Sequence, residues 1–410
     1  MITDRRSLRV MIISFRRRLS RTNVIQRTVF LVAFVIIGTL LLLETHAATI
    51  VNSFFVSPQG GTLAGGASLV TDSTAIGGNA IQFGTSSSGS TGSTGSGSSS
   101  SSSSSSSNPG RFGMALGGGW QGYSSTQLNT YFADMQSMGV QWVRYDLNWV
   151  QIQPSSGGSY NWSAYDNVAK AATAHNLKVL AILDQAPTWA QSSSCSGQAW
   201  CPPNGSSNFA AFASAAATHY APLGVTTFEI WNEENQNGFW INPNAANYTA
   251  LLKASYTAIH NAEPNDFVVS GGVSPGGTPL IQPNTFVQQM YADGAKGYFD
   301  ALGIHPYCFS DPSVCATSNS SNTDVWGQMA YGPNNIKSIM AANGDGSKKM
   351  WLTEFGDQNS DVVQEMTNAF NLTNNQAWAG PIFWYDYTGD GSFGLVGTPA
   401  YNTYKQLAGK

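Results

Sequence analysis

Residues 140–183 read VQWVRYDLNWVQIQPSSGGSYNWSAYDNVAKAATAHNLKVLAIL. Two runs rich in β-branched and aromatic residues, 140–145 and 178–183, flank a stretch at 162–174 whose apolar positions recur every three or four residues. A strand, a helix and a second strand in that order imply a parallel pair with a crossover, because a two-residue turn cannot return a chain to the same direction. The pattern then repeats. Further strand-like runs lie at 112–116, 226–231, 267–270, 299–304, 350–353 and 381–385. Helical stretches lie between and after them at 126–138, 207–220, 245–261, 285–293, 334–343, 362–374 and 401–407. In the first of these, Leu128, Tyr131, Phe132, Met135 and Met138 make the apolar stripe. Strict alternation argues for an α/β fold with a parallel sheet, and eight units argue for a single (β/α)8 barrel of the TIM type over residues 108–410. No G-x-G-x-x-G follows the first run, so a dinucleotide-binding sheet is disfavoured.

The chain before the barrel has a different composition. Residues 1–47 hold eight of the 19 basic residues, all arginine, and the acids Asp4 and Glu44. An apolar run of 15 residues follows the arginines at 29–43. Its length sits at the upper limit of a signal-peptide core and short of a spanning helix. Residues 1–47 are therefore expected to be a signal peptide cleaved near Ala47 or an uncleaved N-terminal membrane anchor. Either places the remainder outside the cell, secreted or tethered to its surface. Residues 48–84, with three Gly-Gly pairs around short β-like runs, read as a spacer or loose hairpin. Residues 85–107 are entirely serine, glycine and threonine. Such a segment offers nothing to bury and behaves as a coil spanning roughly 25–30 Å.

Charge and cysteine content narrow the function. After residue 47 the chain carries 11 basic against 21 acidic residues, which disfavours nucleic-acid partners. Charged residues are only 10% and aromatics 12%, with 12 Trp, a composition suited to uncharged ligands with flat apolar faces. Cys195, Cys201, Cys308 and Cys315 agree with an oxidising compartment, and four cysteines allow three pairings. Local pairs, 195–201 and 308–315, would each tie one loop. Neither spacing is C-x2-C, so zinc is disfavoured.

In a barrel of this kind chemistry sits where strands end at the C-terminal face. The second run ends at Arg144, with Trp149 beyond it. The third ends at Asp184, followed by Trp189. The fourth ends Trp231-Asn232-Glu233, with Trp240 in the loop after it. The sixth ends His305-Pro306-Tyr307, the seventh at Glu354, and the eighth carries Trp384. Two carboxylates at the rims of the fourth and seventh strands are what glycoside hydrolysis needs, one as acid and one facing the anomeric carbon. Glu229, four residues before Glu233, reads as an interior partner of a cation, and Arg144 needs such a carboxylate if buried. Arg144, Asn232, His305, Tyr307, Trp384, Trp149, Trp189 and Trp240 are the expected substrate-binding residues. Gly272-Val273-Ser274-Pro275-Gly276 matches G-x-S-x-G, but a Pro-Gly-rich stretch follows where a nucleophile elbow needs a helix. A calcium loop at Asp386-Tyr387-Thr388-Gly389-Asp390-Gly391 fails on ligand spacing.

FEIWNEEN (228–235) and MWLTEFG (350–356) resemble the acid/base and nucleophile strands of clan A glycoside hydrolases. The segments GVQWVRYDLNWVQIQP, KVLAILDQAPTWA and IWNEENQNGFWINPNAANYTALLKASYTAIHNAEPNDFVVSGG are similar to family 39 members. The resemblance runs in order over about residues 112–407. It implies retaining hydrolysis of O-glycosidic bonds in a poly- or oligosaccharide, without cofactor or metal, by a chain expected to be a monomer. It assigns Glu233 as acid/base and Glu354 as nucleophile. Glu234 stands where the family usually has proline, and the residue after the asparagine is the family's acid. A non-catalytic carbohydrate-binding or adhesion protein on the same barrel is the alternative. A protein built to display a wall- or partner-binding surface through its linker is a third.

Overall fold

The computed structural model describes residues 67–71, 79–83, 111–275, 280–307, 325–358, 362–389 and 393–410. The Arg-rich start, the apolar run, the linker, Cys308, Cys315 and the last two residues of the calcium-like stretch, Asp390 and Gly391, lie outside these residues. Chain contacts divide the protein into Met1–Ser101 and Ser102–Lys410. In the first unit, β1 (Ala67–Thr71) and β2 (Asn79–Phe83) form an antiparallel hairpin pairing Ala67 with Phe83 and Thr71 with Asn79. Among the described residues no helix is long and apolar enough to cross a membrane.

The second unit is the barrel. Its strands are β3 (Phe112–Ala115), β4 (Trp142–Asn148), β5 (Lys178–Asp184), β6 (Thr227–Asn232), β7 (Phe267–Gly272), β8 (Ala301–Ile304), β9 (Lys349–Phe355) and β10 (Ala379–Tyr385). All neighbours are parallel, and β10 pairs with β3 to close the ring. The helices that follow the strands are α1 (Ser125–Met138), α2 (Ser163–Ala174), α3 (Ser207–Tyr220), α4 (Ala245–Ala262), α5 (Pro283–Ala292), α6 (Ile336–Ala342), α7 (Val362–Thr373) and α8 (Pro399–Leu407), with shorter helical turns such as Trp149–Ile152 in the loops. Each predicted strand and helix is present. α1 shows why: Ser124 and Gln127 form a reciprocal capping box at its start, and Leu128, Phe132, Met135 and Met138 are buried along one face.

Two apolar layers follow from the pleat. Inside the barrel lie Ala115, Trp142, Leu180, Val269, Ala301, Trp351 and Phe383. Between strands and helices lies the larger cluster, which includes Val143, Tyr145, Leu147, Val179, Ala181, Leu183, Phe228 and Ile230. Side chains alternate, so the residues two and four past Trp142, namely Arg144 and Asp146, share the interior face. This corrects one boundary. β4 does not end at Arg144 but runs on to Asn148, which sets the guanidinium inside the barrel rather than on its rim.

Candidate active site

Arg144 organises the barrel mouth. It is 2% exposed, and its three guanidinium nitrogens serve three partners. Nε donates to Glu229 Oε2 at 2.6 Å, Nη2 donates to Asn232 Oδ1 at 2.7 Å, and Nη1 donates to Glu354. Glu229 is fully buried and also accepts from the Thr353 hydroxyl at 3.0 Å. Burial opposes the arginine's charge, but Glu229 and Glu354 outweigh it and push its pKa up. A rigid fork suits this three-way division, which a lysine could not reproduce.

Glu354 is held as an anion. Besides Arg144 it accepts from the Tyr307 hydroxyl at 2.9 Å, and His305 Nδ1 lies 3.6 Å from Oε2. Burial pushes its carboxyl up, yet the charges of His305 and Arg144 and the two donated hydrogen bonds hold it below the ordinary value. Glu233 sits opposite. Its Oε1 is 2.8 Å from His305 Nδ1, and Gln236 Nε2 donates to Oε2. His305 is fully buried, with Nε2 3.1 Å from the Thr353 hydroxyl. One carboxylate oxygen from each glutamate and a nitrogen of His305 all lie within 4.8 Å of one another. The same three atoms could meet a small cation, but the His–Glu contact at 2.8 Å already engages two of them. Arg144 beside Glu354 further disfavours added positive charge there.

Both glutamates reach the interior because the pleat is broken next to them. In β6, Ile230 and Trp231 both pack into the outer cluster. Trp231 adopts φ +70° and Glu233 φ +48°, a left-handed conformation unusual for such side chains. The turn brings Asn232 and Glu233 to the site together and sends Glu234 outward. In β9, Leu352 pairs with Ile382 but Phe355 pairs with Trp384, so one extra residue is accommodated between them. That irregularity lets Thr353 and Glu354 both meet site residues, while Phe355 joins the outer layer. On β7, Gly272 leaves space for the histidine: a Cβ there would stand 2.1 Å from His305 Nε2.

The structure thus gathers Arg144, Asn232, Glu233, His305, Tyr307 and Glu354. It places the tryptophans differently. Trp149 is fully buried, stacked on Phe212 of α3 at 5.4 Å. Trp240 is 2% exposed against Trp231 and Tyr248. Neither has a face to offer a sugar, and the expectation that they bind substrate is corrected. Trp384 is also fully buried, its ring against Phe355 in the outer layer. Alternation along β10 puts Phe383 and Tyr385, not Trp384, towards the barrel axis, so Tyr385 is the aromatic available there. Trp189 remains half-buried, its indole N–H donating to Gln153 O at 3.1 Å.

Sequence reasoning gave no role to other members, Asp184 among them although it was placed at a strand end. Asp146 lies two residues beyond Arg144 on the same face, a signal the period-2 rule carries. Burial, with Glu354 and Glu229 adding to it against Arg144, pushes its carboxyl up to about 7. Asp184 on β5 is fully buried, accepts from Asn148 Nδ2 at 3.1 Å, and is pushed well up by burial and by Asp146. Thr353 and Gln236 orient His305 and Glu233. Ser274 of the G-x-S-x-G match is buried, its N–H donating to Asn235 Oδ1 at 2.8 Å. The helix that follows begins only at Pro283, and His305 is engaged by Glu233, so no serine triad forms. Cys195 and Cys201 are joined by a disulfide, with Cα atoms 5.6 Å apart, tying the loop after β5.

The family model described as Cellulase (glycosyl hydrolase family 5) matches residues 99–390. Several solved structures share the fold. A family 39 glycoside hydrolase from the gut symbiont Bacteroides cellulosilyticus WH2 is 20% identical with a TM-score of 0.56, over 72% of this chain and 63% of that one. A family 39 β-xylosidase from Caulobacter crescentus is 18% identical with a TM-score of 0.53, over 73% of this chain and 71% of that one. A family 30 endoxylanase from Clostridium papyrosolvens C71 is 17% identical with a TM-score of 0.50, over 73% and 71%. The chain therefore spans less than two thirds of the length of the first of these. No curated protein sequence matches it. The clan A resemblance holds, with family 5 supplying the matching model and family 39 members among the similar folds.

Proposed function

The chain belongs to the cellulase family, glycosyl hydrolase family 5, and from that premise we propose that it is an exported retaining glycosidase acting on a β-linked poly- or oligosaccharide. Glu354 is the nucleophile and Glu233 the acid/base. In the first step the Glu354 carboxylate adds its electron pair to the anomeric carbon. The bond to the leaving oxygen breaks, and Glu233 gives that oxygen its proton. In the second step Glu233 takes a proton from water, the water oxygen attacks the same carbon, and the bond to Glu354 is released. Arg144, Tyr307 and His305 keep Glu354 ionised, while Gln236 and His305 fix the direction of Glu233.

The observation that carries the reading is the approach of the two carboxylates, one oxygen of each lying within 4.8 Å of the other. Retention goes with carboxyl groups about 5–5.5 Å apart and inversion with roughly 6.5–9.5 Å, room for an intervening water. Export rests on the arginine-rich start, the apolar run at 29–43 and the Cys195–Cys201 disulfide.

The test separates the glutamates by leaving group. On an activated aryl glycoside, Glu233→Ala should complete the first step and stall at the glycosyl-enzyme. Added azide needs no base and should restore turnover, giving a β-glycosyl azide. Glu354→Ala should show no such rescue and give, if anything, the α-azide. Loss of general acid–base catalysis is typically about 10²–10⁴-fold, so the contrast is measurable. If Glu234→Ala shows the azide pattern and Glu233→Ala does not, the assignment between neighbours fails. Full activity of both the 233 and 354 variants on a natural glycan would refute the whole mechanism.

A further inference from the structure

Glu234 follows the acid/base in the chain but takes no part in the mechanism above. It is fully buried, and neither carboxyl oxygen makes a well-formed hydrogen bond, the Tyr248 hydroxyl being the side-chain group that interacts with it. It lies behind β6, between β7 and α4. Gly271 on β7 makes the space: a Cβ there would stand 2.1 Å from Glu234 Oε2 and 2.8 Å from the Ile230 carbonyl oxygen. A carboxyl buried where a glycine leaves room for it, with no cation beside it among the described residues, needs an explanation, because a poorly paired buried polar group costs about 1–3 kcal/mol.

Its surroundings decide its protonation. The charged and titratable groups that act on it are Glu229 of β6, its chain neighbour Glu233 and Tyr248 of α4. Among the described residues no cation pairs with it. Burial first, then the two glutamates, push its carboxyl well above the ordinary value, against weaker backbone and Tyr248 contributions. A second negative charge in this pocket would be uncompensated, so the neutral acid is the form that fits. A carboxylic acid, unlike a carboxylate, has an O–H to donate.

Tyr248 can receive it. This fully buried phenol donates to the Ile230 carbonyl at 3.0 Å and accepts from the Gly271 N–H at 2.6 Å. It therefore ties β6 to β7 three residues before Glu233, and its oxygen keeps a second lone pair.

We propose that Glu234 is a positioning residue for the acid/base: held as an uncharged carboxylic acid, it donates into the Tyr248 hydroxyl and completes the lock that fixes the strained end of β6. The proposal rests on Glu233 being the acid/base. Glu234 touches no substrate. It acts through Tyr248 and the backbone on the direction of the Glu233 carboxyl.

Three variants of the full chain test this: Glu234→Gln, which keeps shape and a donor; Glu234→Met, which keeps volume without one; and Glu234→Ala. On a glycoside with a poor leaving group, Gln should stay near wild type. Met and Ala should lose about tenfold or more in kcat with KM little changed, part of the ~10²–10⁴ available to general acid–base catalysis. First-turnover release from an activated aryl glycoside, which needs no acid, should fall far less. Thermal melting gives a second readout. A carboxyl raised in the folded state contributes stability that is full below its unfolded value and is lost as pH rises through its folded value. Wild type should therefore lose melting temperature relative to Glu234→Gln as pH rises from 5 to 9 (roughly the range above the unperturbed carboxyl). Met as active as Gln would reduce Glu234 to a space filler and overturn the proposal. Gln as impaired as Met, or a melting gap that does not change with pH, would overturn it equally. Failure of the azide test at Glu233 would instead refute the mechanism itself, whatever the variants at 234 do.

Discussion

Arg144→Met would remove the guanidinium from a cluster of carboxylates while leaving a side chain of similar length. Arg144 and Glu229 are 2% and 0% exposed, and the Glu354 side chain is 14% exposed. Breaking a buried pair by removing one partner costs about 3–5 kcal/mol, because the remaining charge is left unpaired. For a domain of this size each kcal/mol moves the melting point by about 2 °C, so a fall of ~6–10 °C is expected at neutral pH. The chemistry should move as well. Glu354 is held below the ordinary carboxylate value although burial opposes this, and Arg144 supplies both charge and a hydrogen bond towards it. A carboxyl lowered in the folded state contributes stability above its unfolded value and loses it as pH falls through its folded value. Removing the guanidinium raises the folded value, so the acid limb of kcat/KM should shift to higher pH. Arg144→Lys keeps the charge but cannot divide itself among Glu229, Asn232 and Glu354, so it should fall between. The assays are a thermal melt and a pH–rate profile on an aryl glycoside. Melting within about 1–2 °C of wild type, together with an unmoved acid limb, would refute the account of this cluster.

Two further outcomes follow from the loops and from β10. Cys195→Ser with Cys201→Ser should cost about 2 kcal/mol from the short loop that it closes, and should raise KM more than it lowers the melting point. An unchanged KM would show that the loop after β5 does not meet substrate. Tyr385→Ala should raise KM with little change in melting, whereas Trp384→Ala, which empties a buried site, should cost about 3–5 kcal/mol and act through stability. The reverse pattern in steady-state kinetics and melts would mean that Trp384, not Tyr385, faces the sugar.

The barrel was legible in sequence because its signal is periodic and repeated. Each strand run, such as 178–183, carries residues that favour a buried pleated strand. Each helix, such as 126–138, carries a stripe that buries one face. Eight repetitions in one order leave few alternatives. Boundaries were less legible. Polar residues that face inward, such as Asp146 and Asn148, do not look like strand from composition. They extend β4 past Arg144 because the barrel interior at this end is polar. Four cysteines leave connectivity open in sequence, and the local Cys195–Cys201 pair expected from loop closure is the one formed, with Cα atoms 5.6 Å apart.

The site was legible as a set of residue types and illegible as a geometry, for one physical reason. Alternation by two tells which side a strand residue faces only while the pleat is regular, and it fails beside both glutamates. A strict period starting at Glu229 would put Trp231 and Glu233 inside and Asn232 outside. Instead Trp231 turns into the outer layer at φ +70°, and Asn232 reaches Arg144 at 2.7 Å. In β9 the same rule starting at Trp351 would turn Glu354 away from Arg144. The extra residue between Leu352 and Phe355 cancels that. Backbone in such conformations costs about 1–3 kcal/mol per residue and persists only where its surroundings over-determine it. Here those surroundings are named: the three bonds of Arg144, the His305 contacts to Glu233 and Thr353, and the Tyr248 tie between β6 and β7. Trp384 was misjudged in the opposite way. β10 has resumed its alternation by Phe383, so the larger aromatic packs outward and Tyr385 turns in. Local pattern thus assigns the fold, whereas the direction of each active side chain depends on a network spread over β4, β6, β7, β8, β9 and α4. No single stretch of sequence contains that network.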